Sequence, residues 1–252
     1  MSTRPSHQLR AVVFDVDGTL AETERDGHRR AFNLAFRDHG LPYEWGVSEY
    51  GRLLAITGGR RRLEAYLAGR GHTDAATLAR SLHETKTTHF ISWVHTGTLR
   101  ARPGVHELMR DLRDREVAVA VATTGSRAWV TVLLKRLFQD IAFTAVVTAD
   151  DVTRLKPDPE AYRQALAALG ASPEEALAVE DSPPGLDAAV RAHLPCLVVT
   201  SAYHRGAQFP GAAAVLPSYQ AMDLFDAAVP AYLRGGVTAE ALRRLRAAAR
   251  SR

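Results

Sequence analysis

Cysteine is nearly absent from this chain. Cys196 is the only one in 252 residues, which rules out an internal disulfide and makes a reducing, cytoplasmic setting the expectation. Its neighbours Leu194-Pro195-Cys196-Leu197-Val198-Val199 read as a buried strand, so the thiol is expected to be an inert core group and not a nucleophile. Long apolar runs are missing too: no stretch approaches the roughly 18 residues of a membrane span, and Met1 to Gln8 has no apolar segment like that of a secretory signal. A soluble intracellular protein with no membrane partner is expected. A large charge of one sign is also lacking, since 32 basic residues against 28 acidic leave a formal +4. That excess suits a small anionic substrate, and no DNA- or RNA-binding motif accompanies it. The histidines are scattered without the spacing of zinc ligands. No internal repeat or low-complexity linker is present. What remains is an ordinary globular chain, 46% apolar and 24% charged, long enough for one large domain or a main domain with a smaller insert.

The stretch Ala11-Val12-Val13-Phe14-Asp15-Val16-Asp17-Gly18-Thr19-Leu20 organises the rest. An apolar run of strand length ends in two carboxylates one residue apart, then in glycine and threonine, which are turn and cap chemistry. A buried parallel strand gains nothing from an internal aspartate, so Asp15 and Asp17 are expected just past its C-terminal end, where open α/β sheets bind ligands. Residues two apart in an extended chain point the same way. The two acids then converge and repel unless a cation joins them, and an oxygen-rich site of this kind suits Mg²⁺ with a substrate phosphate.

From Glu22 to about Thr98 strand-like runs vanish and helical periodicity takes over. Ala31, Phe32, Leu34, Ala35 and Phe36 form an apolar face ended by Gly40, and further helices are predicted around Ser48 to Ile56, Arg60 to Ala68 and Asp74 to Val94. After Arg102-Pro103-Gly104 strands and helices alternate: strands at Val117 to Ala122, Ala145 to Val147, Ala176 to Val179, Cys196 to Val199 and Ala213 to Leu216. Helices are predicted at Trp129 to Phe138, at Glu160 to Leu169 with Asp158 as N-cap and Pro159 at N1, and at Pro184 to His193. Ser172-Pro173-Glu174-Glu175 is a capping box. The tail from Thr238 to Arg252 reads as an Arg- and Ala-rich helix docked by Leu242 and Leu245. This alternation implies an α/β fold with a parallel sheet and right-handed crossovers.

In one parallel sheet, four separated stretches then reach the same edge. They are Asp15-Val16-Asp17, the hydroxyl-and-glycine turn Thr123-Thr124-Gly125-Ser126 at a helix N-terminus, the loop Leu155-Lys156-Pro157-Asp158-Pro159, and the acids Glu180-Asp181-Ser182. On the sequences FDVDGTL, a strand-end threonine, LKPDP and VEDS, in that order, the chain resembles the haloacid dehalogenase superfamily of phosphohydrolases over essentially its whole length. The resemblance implies a Rossmann-like core formed by residues 1–21 and 99–252, with a helical cap of residues 22–98 inserted after the first strand. It implies that Asp15 is the nucleophile forming an aspartyl-phosphate and Asp17 the general acid and base. It also implies Mg²⁺ held by Asp15, the backbone carbonyl of Asp17 and Asp181 with help from Glu180, and phosphoryl oxygens held by Thr123, Thr124, Gly125 and Lys156. A carboxylate can act as such a nucleophile, splitting one difficult displacement into two easier ones.

Within that superfamily the insert resembles sugar-phosphate phosphatases of the CbbY type, related to β-phosphoglucomutase. The residues that carry this are Leu20-Ala21-Glu22-Thr23-Glu24, His28-Arg29-Arg30-Ala31-Phe32-Asn33 and the stretch from Tyr50 to Arg60. The branch is associated with clearing xylulose 1,5-bisphosphate to xylulose 5-phosphate, and it more often has Lys-Glu where this chain has Arg60-Arg61. Gly58-Gly59-Arg60-Arg61-Arg62 at a helix start suits a second phosphate, through close backbone approach, helix N–H donors and guanidinium forks. Arg60 is the first candidate and Arg61 the second, with Tyr50 placed near the substrate. Glu22 either accepts hydrogen bonds from substrate hydroxyls or begins a cap helix as a favourable N-terminal acid. His28 is either a hinge-side histidine near the substrate or a packed bystander. The expected protein is therefore a monomeric Mg²⁺-dependent phosphatase of a sugar bisphosphate. A mutase, a broad sugar-monophosphate phosphatase and a non-catalytic sugar-phosphate sensor are the alternatives.

Overall fold

The computed structural model describes residues 8–223 and 229–250. Met1 to His7, most of the N-terminal stretch discussed above, and the last two residues of the expected C-terminal helix lie outside the described residues. The strands are β1 (Ala11–Phe14), β2 (Ala118–Ala122), β3 (Ala145–Val147), β4 (Ala176–Glu180), β5 (Cys196–Val199) and β6 (Ala214–Leu216). They form one parallel sheet in the order β3-β2-β1-β4-β5-β6. The order reverses beside β1, and such a switch point opens a crevice at the C-terminal strand ends.

β1 is buried on both faces because its side chains alternate between two cores. Val12 and Phe14 pack with Leu108, Val121, Leu133 and Val179 on one side, and Ala11 and Val13 with Ala120, Tyr162, Ala178 and Cys196 on the other. Cys196 is a buried free thiol whose pKa burial pushes up, as expected of an inert core group. The register pairs Phe14 with both Val121 and Val179. The residues that follow these three strands therefore leave the sheet at one level.

Between β1 and β2 the chain makes a π-helical turn (Glu24–His28) and helices α1 (Arg29–Asp38), α2 (Val47–Leu53), α3 (Gly59–Ala68) and α4 (Ala75–Thr96). These helices hold an apolar cluster of their own, built on Phe32, Phe36, Trp45, Leu63, Leu67 and Leu82. The insert meets the sheet region through two linkers that pair at Ala21 and Ala101. The π-helical turn was not foreseen. His28 N–H donates to the Thr23 carbonyl at 2.7 Å, five residues back, and Gly27 fits there because a Cβ would lie 2.8 Å from the Phe90 ring. α2 ends three residues before the expected Ile56, in a turn leading to Gly58, whose φ of +85° only glycine adopts readily.

The remaining helices are α5 (Val105–Asp114), α6 (Arg127–Leu137), α7 (Glu160–Leu169), α8 (Pro183–Arg191) and α9 (Ala239–Arg250). α7 spans the expected residues with Pro159 and not Asp158 as its N-cap, and the Asp158 side chain still accepts from the Glu160 N–H at 3.0 Å. α9 docks through buried Leu242 and Leu245 as expected, and its Arg246 guanidinium also donates to the Glu174 carbonyl. No helix among the described residues is long and apolar enough to cross a membrane.

Candidate active site

Asp15 follows β1 directly, its N–H donating to the Val179 carbonyl at 3.0 Å, so its carboxylate sits at the switch point. The Lys156 ammonium donates to Asp15 Oδ1 at 2.6 Å and to Glu180 Oε1 at 2.5 Å, and all three side chains are buried. Burial alone would lower the Lys156 pKa, but the Asp15 and Glu180 carboxylates outweigh it and hold the ammonium above its ordinary range. Burial pushes the Asp15 carboxyl well above the usual carboxylate range; Lys156 opposes that shift, and Glu180, Asp181 and Asp17 add to it. Asp15, Glu180 and Asp181 each offer a carboxylate oxygen within 4.8 Å of the others. Three buried carboxylates packed this closely want more positive charge than one lysine gives, so this donor set fits a divalent metal.

Asp17 belongs to the site but not to that grouping. Its Oδ1 accepts from the Thr23 hydroxyl and lies 3.0 Å from His28 Nε2. Burial raises the Asp17 pKa, against the Thr23 hydrogen bond and the Lys86, Lys156 and Arg62 charges. Burial, then Lys86, holds the His28 pKa well below its ordinary value. The imidazole is therefore neutral at physiological pH. It stacks on Phe90 with ring centroids 3.8 Å apart.

Two chambers meet between the strand ends and the inserted helices. The smaller, about 60 Å³, is bounded by Asp15, Lys156, Asp181 and His204, and the larger, about 760 Å³, by His28, Arg60, Arg61 and Lys86; Asp17, Glu24, Arg62 and Thr124 border both. Lys86 is 3% exposed. Its Nζ lies 5.0 Å from the Phe32 ring centroid, 5.1 Å from Phe90 and 6.0 Å from Trp129. No ion pair or hydrogen bond of that ammonium is found among the described residues. Burial lowers its pKa to about 8, against the pull of Glu24 and Asp17.

A model of the haloacid dehalogenase-like hydrolase family matches residues 9–193. The chain belongs to the haloacid dehalogenase-like hydrolases. It is 39% identical over 214 residues to Protein CbbY of Cereibacter sphaeroides, covering 84% of this chain and 93% of that one. To the validoxylamine A 7'-phosphate phosphatase of Streptomyces hygroscopicus subsp. limoneus it is 31% identical over 197 residues, covering 77% and 87%. The crystal structure of a mutant CbbY from Rhodobacter sphaeroides in complex with xylulose-(1,5)bisphosphate superposes with a TM-score of 0.78 at 38% identity, covering 84% of this chain and 95% of that one.

For this hydrolase the structure brings Asp15, Asp17, Lys156, Glu180 and Asp181 together from the ends of three strands, β1, β3 and β4. Thr124 and Gly125 border the chambers, and Gly125 N–H donates to the hydroxyl of Thr123, which lies buried beneath them. Arg60 and Arg61 are exposed on the wall of the larger chamber. Two expectations are corrected. Glu22 borders neither chamber and stands 3.5 Å from Arg102 Nε, because its position in the linker turns it toward the second linker. Tyr50 is buried one layer behind the wall, its hydroxyl donating to Glu24 Oε2 at 2.5 Å and accepting from Arg62 Nη1 at 3.1 Å.

Sequence reasoning did not single out Lys86 or His204, and it named Glu24 and Arg62 only within longer stretches. Lys86 had a signal: it interrupts the buried stripe Ala79, Leu82, Phe90 and Val94 at helical spacing, where a lysine is out of place. Arg102 had none. It donates to the carbonyls of Val199 at 2.7 Å and Thr200 at 2.9 Å, and to that of Gly18.

Proposed function

We propose that the protein is a Mg²⁺-dependent phosphatase that acts on a sugar bisphosphate of the xylulose 1,5-bisphosphate kind, in the cytoplasm and as a monomer. The observation that carries this reading is the buried Lys156 ammonium bridging Asp15 and Glu180 beside the Asp181 carboxylate. In this reading an Asp15 oxygen attacks phosphorus as the bond from phosphorus to the sugar oxygen breaks. Asp17, its pKa raised by burial, delivers a proton to the departing oxygen. Asp17 then takes a proton from the water that cleaves the aspartyl-phosphate, releasing inorganic phosphate and restoring Asp15. Lys156 neutralises phosphoryl charge, Thr124 offers a hydroxyl and backbone N–H, and Thr123 fixes the turn from below.

Asp15, Asp181 and the Asp17 backbone carbonyl would hold Mg²⁺, which when bound neutralises phosphoryl oxygens and orients them for in-line displacement. Both Glu180 oxygens are already occupied: Oε1 accepts from Lys156 and the Tyr162 hydroxyl at 2.8 Å, and Oε2 from the Asp181 N–H at 3.1 Å. Glu180 therefore serves chiefly to hold Lys156.

Residues 22–98 act as a cap over a core of 1–21 and 99–252, supported by their separate apolar cluster and paired linkers. Its closure would exclude water from the reacting phosphate. The larger chamber favours a second anionic group. Arg60 and Arg61 open α3 on one wall, and Lys86, with no ion pair or hydrogen bond among the described residues, is a buried cation that a substrate anion would stabilise. The complex of the CbbY relative with xylulose-(1,5)bisphosphate supports the same choice. Comparing kcat/KM for xylulose 1,5-bisphosphate and xylulose 5-phosphate tests it. The native protein should prefer the bisphosphate at least about tenfold, and Arg60→Ala should lose about 1.4 kcal/mol of that preference. Equal preference in both proteins contradicts the second-phosphate site.

A further inference from the structure

We infer that His204, on the turn after β5, is a positioning residue that fixes Asp181 for the divalent cation; this rests on the reading of Asp181 as a metal ligand. His204 belongs to none of the four stretches that mark the family, yet it borders the smaller chamber beside Asp15. Its Nδ1 lies 3.0 Å from Asp181 Oδ2 and 3.2 Å from the Ser201 hydroxyl. With a carboxylate as the nearer partner, Nδ1 carries the proton and donates it to Oδ2.

Backbone also packs closely against that oxygen. Gly18 has φ of +82°, and a Cβ there would lie 2.3 Å from Asp181 Oδ2 and 3.0 Å from Ser201 Cβ. The acid loop after β1 and the turn after β5 thus grip one carboxylate oxygen between them. Arg102 ties the bases of both segments, donating to the carbonyls of Gly18 and Thr200. An imidazole N–H on a ligating carboxylate restricts its rotation and favours its ionised form. With Nδ1 committed to Oδ2, His204 acts through Asp181, so the expected loss is of metal affinity.

Mg²⁺ titration of the full-length protein by isothermal calorimetry, without substrate, reads this directly. His204→Phe keeps the ring's bulk and removes the donor, and its Kd for Mg²⁺ should rise about 10- to 100-fold. His204→Asn, which carries an N–H donor near the Nδ1 position, should recover most of the native affinity and also guards against a folding defect in the phenylalanine variant. Native affinity in His204→Phe, or Asn binding as weakly as Phe, overturns the inference while leaving the metal site standing. Absence of Mg²⁺ binding by the native protein overturns both.

Discussion

With Asp15 and Glu180 both within 2.6 Å of its ammonium, Lys156 neutralises at most one of three clustered acids. The surplus negative charge at the strand ends and the buried Lys86, which has no ion pair among the described residues, are complementary demands, one for a cation and one for an anion. A substrate with two phosphates, arriving with Mg²⁺, meets both. Lys86 also gives the site a pH signature. Its folded pKa of about 8 lies below the ordinary 10.5. The unfolded chain therefore keeps this proton to higher pH, and the destabilisation that Lys86 imposes fades as pH rises from about 8 toward 10.5. Binding runs the other way, because an anionic substrate needs the ammonium. Asp17, Glu24, His28 and Arg62 face it from the neighbouring elements, and His83 from its own helix. KM for the bisphosphate should climb once pH passes about 8 in the native protein. In Lys86→Met it should be high and flat across the same range. A steady-state pH series decides this, and an unchanged inflection in the variant would refute the assignment.

At the level of elements, the π-helical turn at Glu24–His28 sets which side chains enter the site, carrying Glu24 toward Tyr50 and His28 toward Asp17. Gly27 permits it by packing under Phe90, which carries the His28 ring. Gly27→Ala should cost about 1–3 kcal/mol by overpacking. It should also lower kcat by displacing His28 from Asp17. Thermal melts and kcat check both effects, and a variant with native Tm and kcat would show that the turn is not held by this contact.

The strands were legible because continuous runs such as Val119 to Ala122 can only be buried, and the acids after β1 and β4 were legible because acids stop such runs. The π-helical turn was not legible, since one extra residue in a helix leaves no periodic trace over five positions. The side on which Glu22 falls was not legible for a different reason: sequence proximity to Asp17 does not say which way a linker turns. His204 lies in a loop whose path depends on Arg102 and Gly18, both remote in sequence.

Over the whole molecule, a doubly wound sheet gathers four loops at one edge and inserted helices cover them. Neither layer is complete alone: the strand ends supply acids and Lys156, and the insert supplies Arg60, Arg61, Lys86 and the His28 that contacts Asp17. Release of inorganic phosphate from xylulose 1,5-bisphosphate in the presence of Mg²⁺, by native protein and by Asp15→Asn with circular dichroism confirming the fold, tests this arrangement most directly. The native protein should turn over and the asparagine variant should lose about 10⁴-fold or more. Turnover by folded Asp15→Asn within tenfold of native would contradict Asp15 as the group that receives the phosphoryl.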